Sequence, residues 1–297
     1  MRVAAPGKLL LFGAYAVLEG GAAIVIAVDR YAVADDARTS ESPSREVRAA
    51  LGAEPAPDVD ATALYEGGAK LGLGSSAAVL VASLGVRAAK RGDDLAREEV
   101  RRALFREARE AHASAQGGGS GVDVAASTWG GALSYVAFPE AEARPVTLPA
   151  GLSFIAFWSG SSARTSELVA RVEALRARDA RAHADAIGAL KAASQAAHAS
   201  LSSLPHFLAA ARTMSSALAT LGTLADAPIV PPAFAELATL AEREGGAFFP
   251  SGAGGGDVGV WLGAAPPSAG FLARARTLAM HPIELGMDHA GVRIRED

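Results

Sequence analysis

Lys70-Leu71-Gly72-Leu73-Gly74-Ser75-Ser76-Ala77-Ala78 is the stretch on which the reading of this chain turns. Its two glycines let the backbone approach an anion. It runs straight into a helical pattern over residues 75–91, with apolar Val79, Leu80, Leu84 and Val86. Free N–H groups and the macrodipole at such a helix start favour negative charge. Ser75 and Ser76 add hydroxyls for phosphate oxygens or for a phosphate-bound Mg²⁺, a hard cation that takes oxygen ligands. An ordinary tight turn with a serine cap would use the same residues; the doubled serine and Lys70 just upstream favour the anion cradle. No Gly-Lys-Ser/Thr closes the segment, so it is not a Walker A loop. Ala77 stands where a dinucleotide fingerprint would carry its third glycine.

Outward from this loop lie two further glycine segments and a lysine. Gln116-Gly117-Gly118-Gly119-Ser120-Gly121-Val122-Asp123 sets one carboxylate behind a flexible, amide-rich loop. Asp123 there could receive a proton, orient a lysine or help hold a metal, or it could serve as a helix cap. Pro250-Ser251-Gly252-Ala253-Gly254-Gly255-Gly256-Asp257-Val258-Gly259 formally contains G-x-G-x-x-G. A strand pattern rather than a helix follows it, so the dinucleotide reading fails; a glycine hairpin and an anion-enclosing loop both remain open. Lys8 follows Pro6-Gly7 at the mouth of an apolar run, where an ammonium could neutralise phosphate charge in transit. The six histidines show no H-E-x-x-H spacing, and neither serine of the first loop lies in a G-x-S-x-G elbow. Zinc hydrolysis and α/β-hydrolase chemistry are thereby disfavoured.

The chain has 297 residues, 28 Lys+Arg against 32 Asp+Glu, and no cysteine. A chain of this length buries roughly 75% of its unfolded surface, enough for one large domain or two modest ones. The charge balance argues against a broad nucleic-acid surface. The absence of cysteine excludes disulfides, Fe–S clusters and cysteine-based zinc sites. No apolar run reaches a membrane span, and Pro6, Gly7 and Lys8 interrupt any signal-peptide core, so a cytoplasmic protein is expected.

Strands are predicted at 9–12, 24–28 continuing through 31–34, 132–138 and 152–158, with loop over 38–68 and helices over 75–91, 94–112 and 122–128. Beyond Trp158 the pattern predicts a long alanine-rich helical region over 165–201. Helices follow at 207–221, 234–244 and 269–279, and strands at 247–250, 258–262, 283–285 and 292–295. This order predicts an α+β chain with a boundary near Ala150, giving lobes of residues 1–150 and 151–297.

Taken in order, three stretches resemble the motifs of the GHMP kinase superfamily. They are Ala5-Pro6-Gly7-Lys8 with Gly13-Ala14-Tyr15-Ala16-Val17-Leu18, then Gly72–Ala78, then Ser251-Gly252-Ala253-Gly254-Gly255-Gly256. Within it, residues 20–31, 70–79, 115–126 and 251–259 are most similar to phosphomevalonate kinases. Mevalonate kinases are the near relatives and tend to carry glycine where Asp257 stands. Ala14 departs from the acidic residue common after the glycine of the first motif. The resemblance implies a two-lobed fold, with an N-terminal lobe like ribosomal protein S5 domain 2 and a ferredoxin-like C-terminal lobe.

It also implies ATP on Gly72, Leu73, Gly74, Ser75, Ser76 and Ala77 with Lys70 nearby, Mg²⁺ at Ser76, and Lys8 and Asp123 facing the transferring phosphoryl group. Gly119, Ser120, Gly121, Ser251, Gly252, Ala253 and Gly254 would enclose the acceptor. Arg30 and Arg164 are candidates for its phosphate but read as surface.

The implied activity is transfer of phosphate from ATP to 5-phosphomevalonate. Its partner would be that small molecule, with neither nucleic acid nor membrane, in a monomer or homodimer. Mevalonate kinase and a GHMP-fold metabolite sensor without turnover are the rivals. A phosphate nucleophile titrates near ~6 and needs no strong base, which makes Lys8 and Mg²⁺ more important than Asp123.

Overall fold

The computed structural model describes residues 1–162 and 164–295. In chain order the first part comprises β1 (Arg2–Phe12), β2 (Ala23–Thr39), α1 (Arg45–Leu51), β3 (Pro57–Asp60), the hairpin β4 (Tyr65–Glu66) and β5 (Ala69–Lys70), α2 (Ser75–Lys90), α3 (Glu98–Gln116), α4 (Val122–Trp129), β6 (Ala132–Val136) and β7 (Glu142–Pro145). The second comprises β8 (Ser153–Trp158), α5 (Thr165–Arg178), α6 (Ala180–Ala199), α7 (Leu204–Leu224), α8 (Pro232–Arg243), β9 (Ala247–Pro250), β10 (Val258–Gly263), α9 (Ala269–Thr277), β11 (His281–Ile283) and β12 (Arg293–Arg295).

Two antiparallel sheets organise these elements. The first has the order β12-β1-β2-β6-β7 with β3 also on β2; the second has β11-β8-β10-β9. The two apolar runs predicted at 24–28 and 31–34 are one strand. Pro6 pairs with Tyr31 and Gly7 with Val28, so Asp29 and Arg30 form a bulge opposite Pro6, which has no N–H to give the ladder. The bulge is tied down by Gly286, whose N–H donates to Asp29 Oδ1 at 2.8 Å while its carbonyl accepts from Asp29 N at 3.0 Å.

Residues 38–68 are not the predicted loop. Ser44 caps α1 by accepting from Val47 N, and Val47 and Leu51 are buried, so Pro43, Pro55 and Pro57 bracket a helix rather than preclude one. Helix α3 begins later than predicted because Asp94 forms a local turn, accepting from Ala96 N at 2.9 Å, and it ends at left-handed Gly117. The alanine-rich stretch is two helices, broken where the Asp179 carboxylate accepts from Ala182 N and starts α6. Strand β7 was not predicted.

The expected boundary near Ala150 falls where the chain passes from the first sheet to the second. The last strand, however, returns to the first sheet, Val3 facing Ile294. Helices α2 and α4 cover β1 and β2, and α6 from the second part also packs on both. Phe12 of β1 meets Phe207 of α7 edge-on, ring centroids 5.1 Å apart, so the core is continuous between the sheets. A separate aromatic cluster of Phe157, Phe234, Phe248, Trp261 and Phe271 fills the space between the second sheet and α8 and α9.

Candidate active site

The 70–78 segment forms its loop by alternation. Leu71 and Leu73 are buried, while Gly72 (φ 75°) and Gly74 (φ 77°) take left-handed conformations between them. Strand β1 grips the loop twice, Lys8 N donating to Leu73 O at 2.8 Å and Lys8 Nζ to Gly72 O at 3.2 Å. Gly74 is the N-cap of α2 and supplies no side-chain cap. The first-turn amides of this 16-residue helix therefore lack a side-chain acceptor from the cap, the condition an anion cradle requires.

The first and third glycine segments, and Asp123 at the end of the second, converge on Lys8. A Cβ placed on Gly74 would lie 3.0 Å from Lys8 Cγ and 3.6 Å from Asp123 Cβ. One placed on Gly252 would lie 4.0 Å from Lys8 Nζ. Asp123 sits in the first turn of α4, with Oδ1 accepting from Val124 N at 3.0 Å. Burial pushes the Lys8 ammonium below the usual lysine pKa range, and the carboxylates of Asp123 and Asp257 pull it partly back. An ammonium in this surrounding is poorly hydrated and strongly attractive to a phosphate.

Ser76 is wired into α3. Its hydroxyl lies 3.1 Å from His112 Nε2 and accepts from Gln116 Nε2 at 3.2 Å, and Gln116 also donates to Glu46 Oε1 at 3.1 Å. His112 Nε2 is in turn 3.6 Å from Asp123 Oδ2. Gln116 Nε2 also lies 3.1 Å from His112 Nε2, so its two N–H groups are shared among Ser76, His112 and Glu46. The Ser76 hydroxyl has two lone pairs, and the bond from Gln116 uses one of them. Among the described residues no cluster of three or more His, Asp or Glu forms a metal site. A cation here would thus have one hydroxyl, solvent and ligand phosphates, a donor set that suits Mg²⁺.

The two acceptor segments are anchored from below. The Ser120 carbonyl accepts from buried Tyr135 OH and from Arg109 Nε, and Ser120 Oγ accepts from Val122 N at 3.3 Å; Gly117 to Gly119 are exposed. Burial raises the Tyr135 phenol to about 12, which keeps it a donor. In the third segment Ser251 Oγ accepts from Leu10 N at 2.9 Å, and Tyr15 OH donates to Ala253 O at 2.6 Å. Tyr15 does this from a strained φ of 61°, joining the first motif to the third.

Lys8, Gly72 to Ala77, Asp123, and Ser251 to Gly254 are thus brought together. Lys70 is exposed on β5, and Arg164 is exposed and paired with Glu167 at 2.8 Å. Arg30 lies at the bulge, reaching Glu284 O. Sequence reasoning did not assign His112 or Asp257 to the site. The four-residue spacing of His112 and Gln116 on one helix face was the available signal for the first.

Residues 49–131 match the family model of the GHMP kinases N terminal domain. The chain is 34% identical over 226 residues to phosphomevalonate kinase of Streptomyces sp. (strain CL190), a match covering 67% of this chain and 59% of that protein. It is also 34% identical over 202 residues to mevalonate kinase of Archaeoglobus fulgidus, covering 60% and 65%. The matched stretches therefore span about three fifths of those relatives' lengths. In fold it superposes on the Lin0012 protein from Listeria innocua with a TM-score of 0.87 at 24% identity, covering 100% and 99% of the chains. It superposes on Streptococcus pneumoniae phosphomevalonate kinase, in complex with phosphomevalonate and AMPPNP, with a TM-score of 0.79 at 19% identity, covering 97% and 99%.

Proposed function

For this chain, which belongs to the GHMP kinase superfamily and has its α+β fold, we propose ATP-dependent phosphorylation of 5-phosphomevalonate to 5-diphosphomevalonate. The observation that carries the reading is the convergence of Lys8 and Asp123 on the uncapped glycine loop at the start of α2. ATP phosphates would take the amides of Gly72 to Ala77, and Ser76 would hold Mg²⁺, which supplies charge neutralisation when bound. Lys8 lies where the two phosphates must meet, and its ammonium offsets their repulsion. The acceptor oxygen is largely ionised at neutral pH, with a pKa near ~6, so Asp123 orients Lys8 rather than removing a proton. Gly119 to Gly121 and Ser251 to Gly254 line the acceptor side.

A second reading, mevalonate kinase, is favoured by the equal identity to the Archaeoglobus fulgidus protein. An alcohol acceptor would make Asp123 a general base. Coupled ADP release measured with mevalonate and 5-phosphomevalonate side by side separates the readings. Turnover with 5-phosphomevalonate is expected. Turnover with mevalonate alone overturns the substrate, and ligand-induced thermal stabilisation without ADP release points to a sensor.

A further inference from the structure

Asp257 stands in a run of glycines yet is itself not glycine, and its backbone has a φ of 52°. A glycine would adopt that conformation freely, whereas an L side chain there is disfavoured. Its main chain is fixed from both sides: Asp257 N donates to Ser161 O at 2.8 Å, and Asp257 O accepts from Ser159 N at 2.9 Å. Those bonds are open to any residue at this position, so they do not explain the carboxylate. What the side chain meets is the loop before α2. A Cβ on Gly72 would lie 2.6 Å from Asp257 Cβ and 2.9 Å from its Cγ, so glycine at 72 is the space that Asp257 fills. The carbonyl of that same Gly72 accepts from Lys8 Nζ.

Resting on the kinase reading above, we propose that Asp257 is a positioning residue for Lys8, its carboxylate complementing the ammonium from the β9–β10 loop as Asp123 does from α4. The acidic groups facing Lys8 are Asp123 from α4 and Asp257 from the β9–β10 loop, with His112 of α3 behind Asp123. Both carboxylates raise the affinity of Lys8 for its proton against the opposing effect of burial. An ammonium held this way is aimed at the gap between the glycine loops before any ligand arrives, which is preorganisation of charge.

The test uses Asp257→Asn and Asp257→Gly, both of which tolerate a positive φ. Lys8 is followed by lysine-selective ¹³Cε NMR. The chain has four lysines, at 8, 70, 90 and 191, and Lys8→Arg assigns the signal. In the ligand-free chain the Lys8 titration midpoint should fall by about one pH unit in both variants, as expected when an opposite charge a few ångströms away is removed. An unmoved midpoint overturns the proposal. This arm needs no substrate, so it decides the role of Asp257 even if the kinase reading fails. With ATP and 5-phosphomevalonate, kcat should fall about 10-fold or more, KM for both substrates should stay near wild type, and the alkaline limb of kcat should move to lower pH. A wild-type kcat and pH profile in Asp257→Gly would likewise overturn it.

Discussion

A Cβ at position 72 would stand 2.6 Å from that of Asp257, on a backbone with φ 75° that L-residues resist. Gly72→Ala is therefore expected to lower stability by about 1–3 kcal/mol and to raise KM for ATP, read by thermal melts and steady-state kinetics. Lys8 gives a sharper prediction. Single-turnover transfer should slow more in Lys8→Met than in Asp123→Asn; the reverse order would make Asp123 a base and favour an alcohol acceptor. The pH dependence also has a defined sign. Burial lowers the folded-state pKa of Lys8 below its unfolded value, so between the two values the unfolded chain binds more protons. The stability tied to this group then rises with pH across that window, while transfer should fall, since the proposed role of Lys8 uses the ammonium. Accordingly, any Tm advantage of Lys8→Met over wild type should shrink as pH climbs through the window, and an advantage that grows would contradict the assignment.

Elements bring the residues together, and here the sequence was unevenly legible. The starts of α2 and α4 could be read because glycine followed by small and apolar residues leaves few alternatives. Helix α1 could not, because three nearby prolines look like loop until Val47 and Leu51 are seen to be buried. The break between α5 and α6 depends on one carboxylate. Asp179→Ala should cost about 1 kcal/mol by removing the cap on α6, measured by denaturant unfolding. Lys8, Ser76 and Asp123 could be picked out as candidates from their glycine-rich neighbours, and the fold sets them around the start of α2. Asp257 was not, because its contact with Gly72 joins loops far apart in the chain. Tyr15 was quoted within a motif without a role, and its bond to Ala253 gives it one. Tyr15→Phe should leave that carbonyl without this donor, reducing stability by about 0.5–1.5 kcal/mol and raising KM for the acceptor more than KM for ATP.

At the scale of the molecule, the site exists because two sheets share one core and one last strand. Residues 288–295 return to the first sheet under the control of a buried carboxylate. Asp288 accepts from Tyr31 OH at 2.9 Å, Gly291 N at 2.7 Å and Arg293 at 2.8 Å. Asp288→Ala would release all three and leave Arg293 without this anion, a loss of about 3 kcal/mol, seen as a lower denaturation midpoint. Since β12 lies against β1, which carries Lys8, the same variant should lose activity at temperatures where wild type retains it. The central claim is that Lys8 and the glycine loops join ATP to a phosphorylated acceptor. ³¹P NMR of the chain incubated with ATP, Mg²⁺ and 5-phosphomevalonate tests it most directly. The account predicts that the phosphomonoester signal gives way to a diphosphate as ADP accumulates, and that Lys8→Met abolishes the change; an unaltered monoester with folded, ATP-saturated wild-type chain would contradict it.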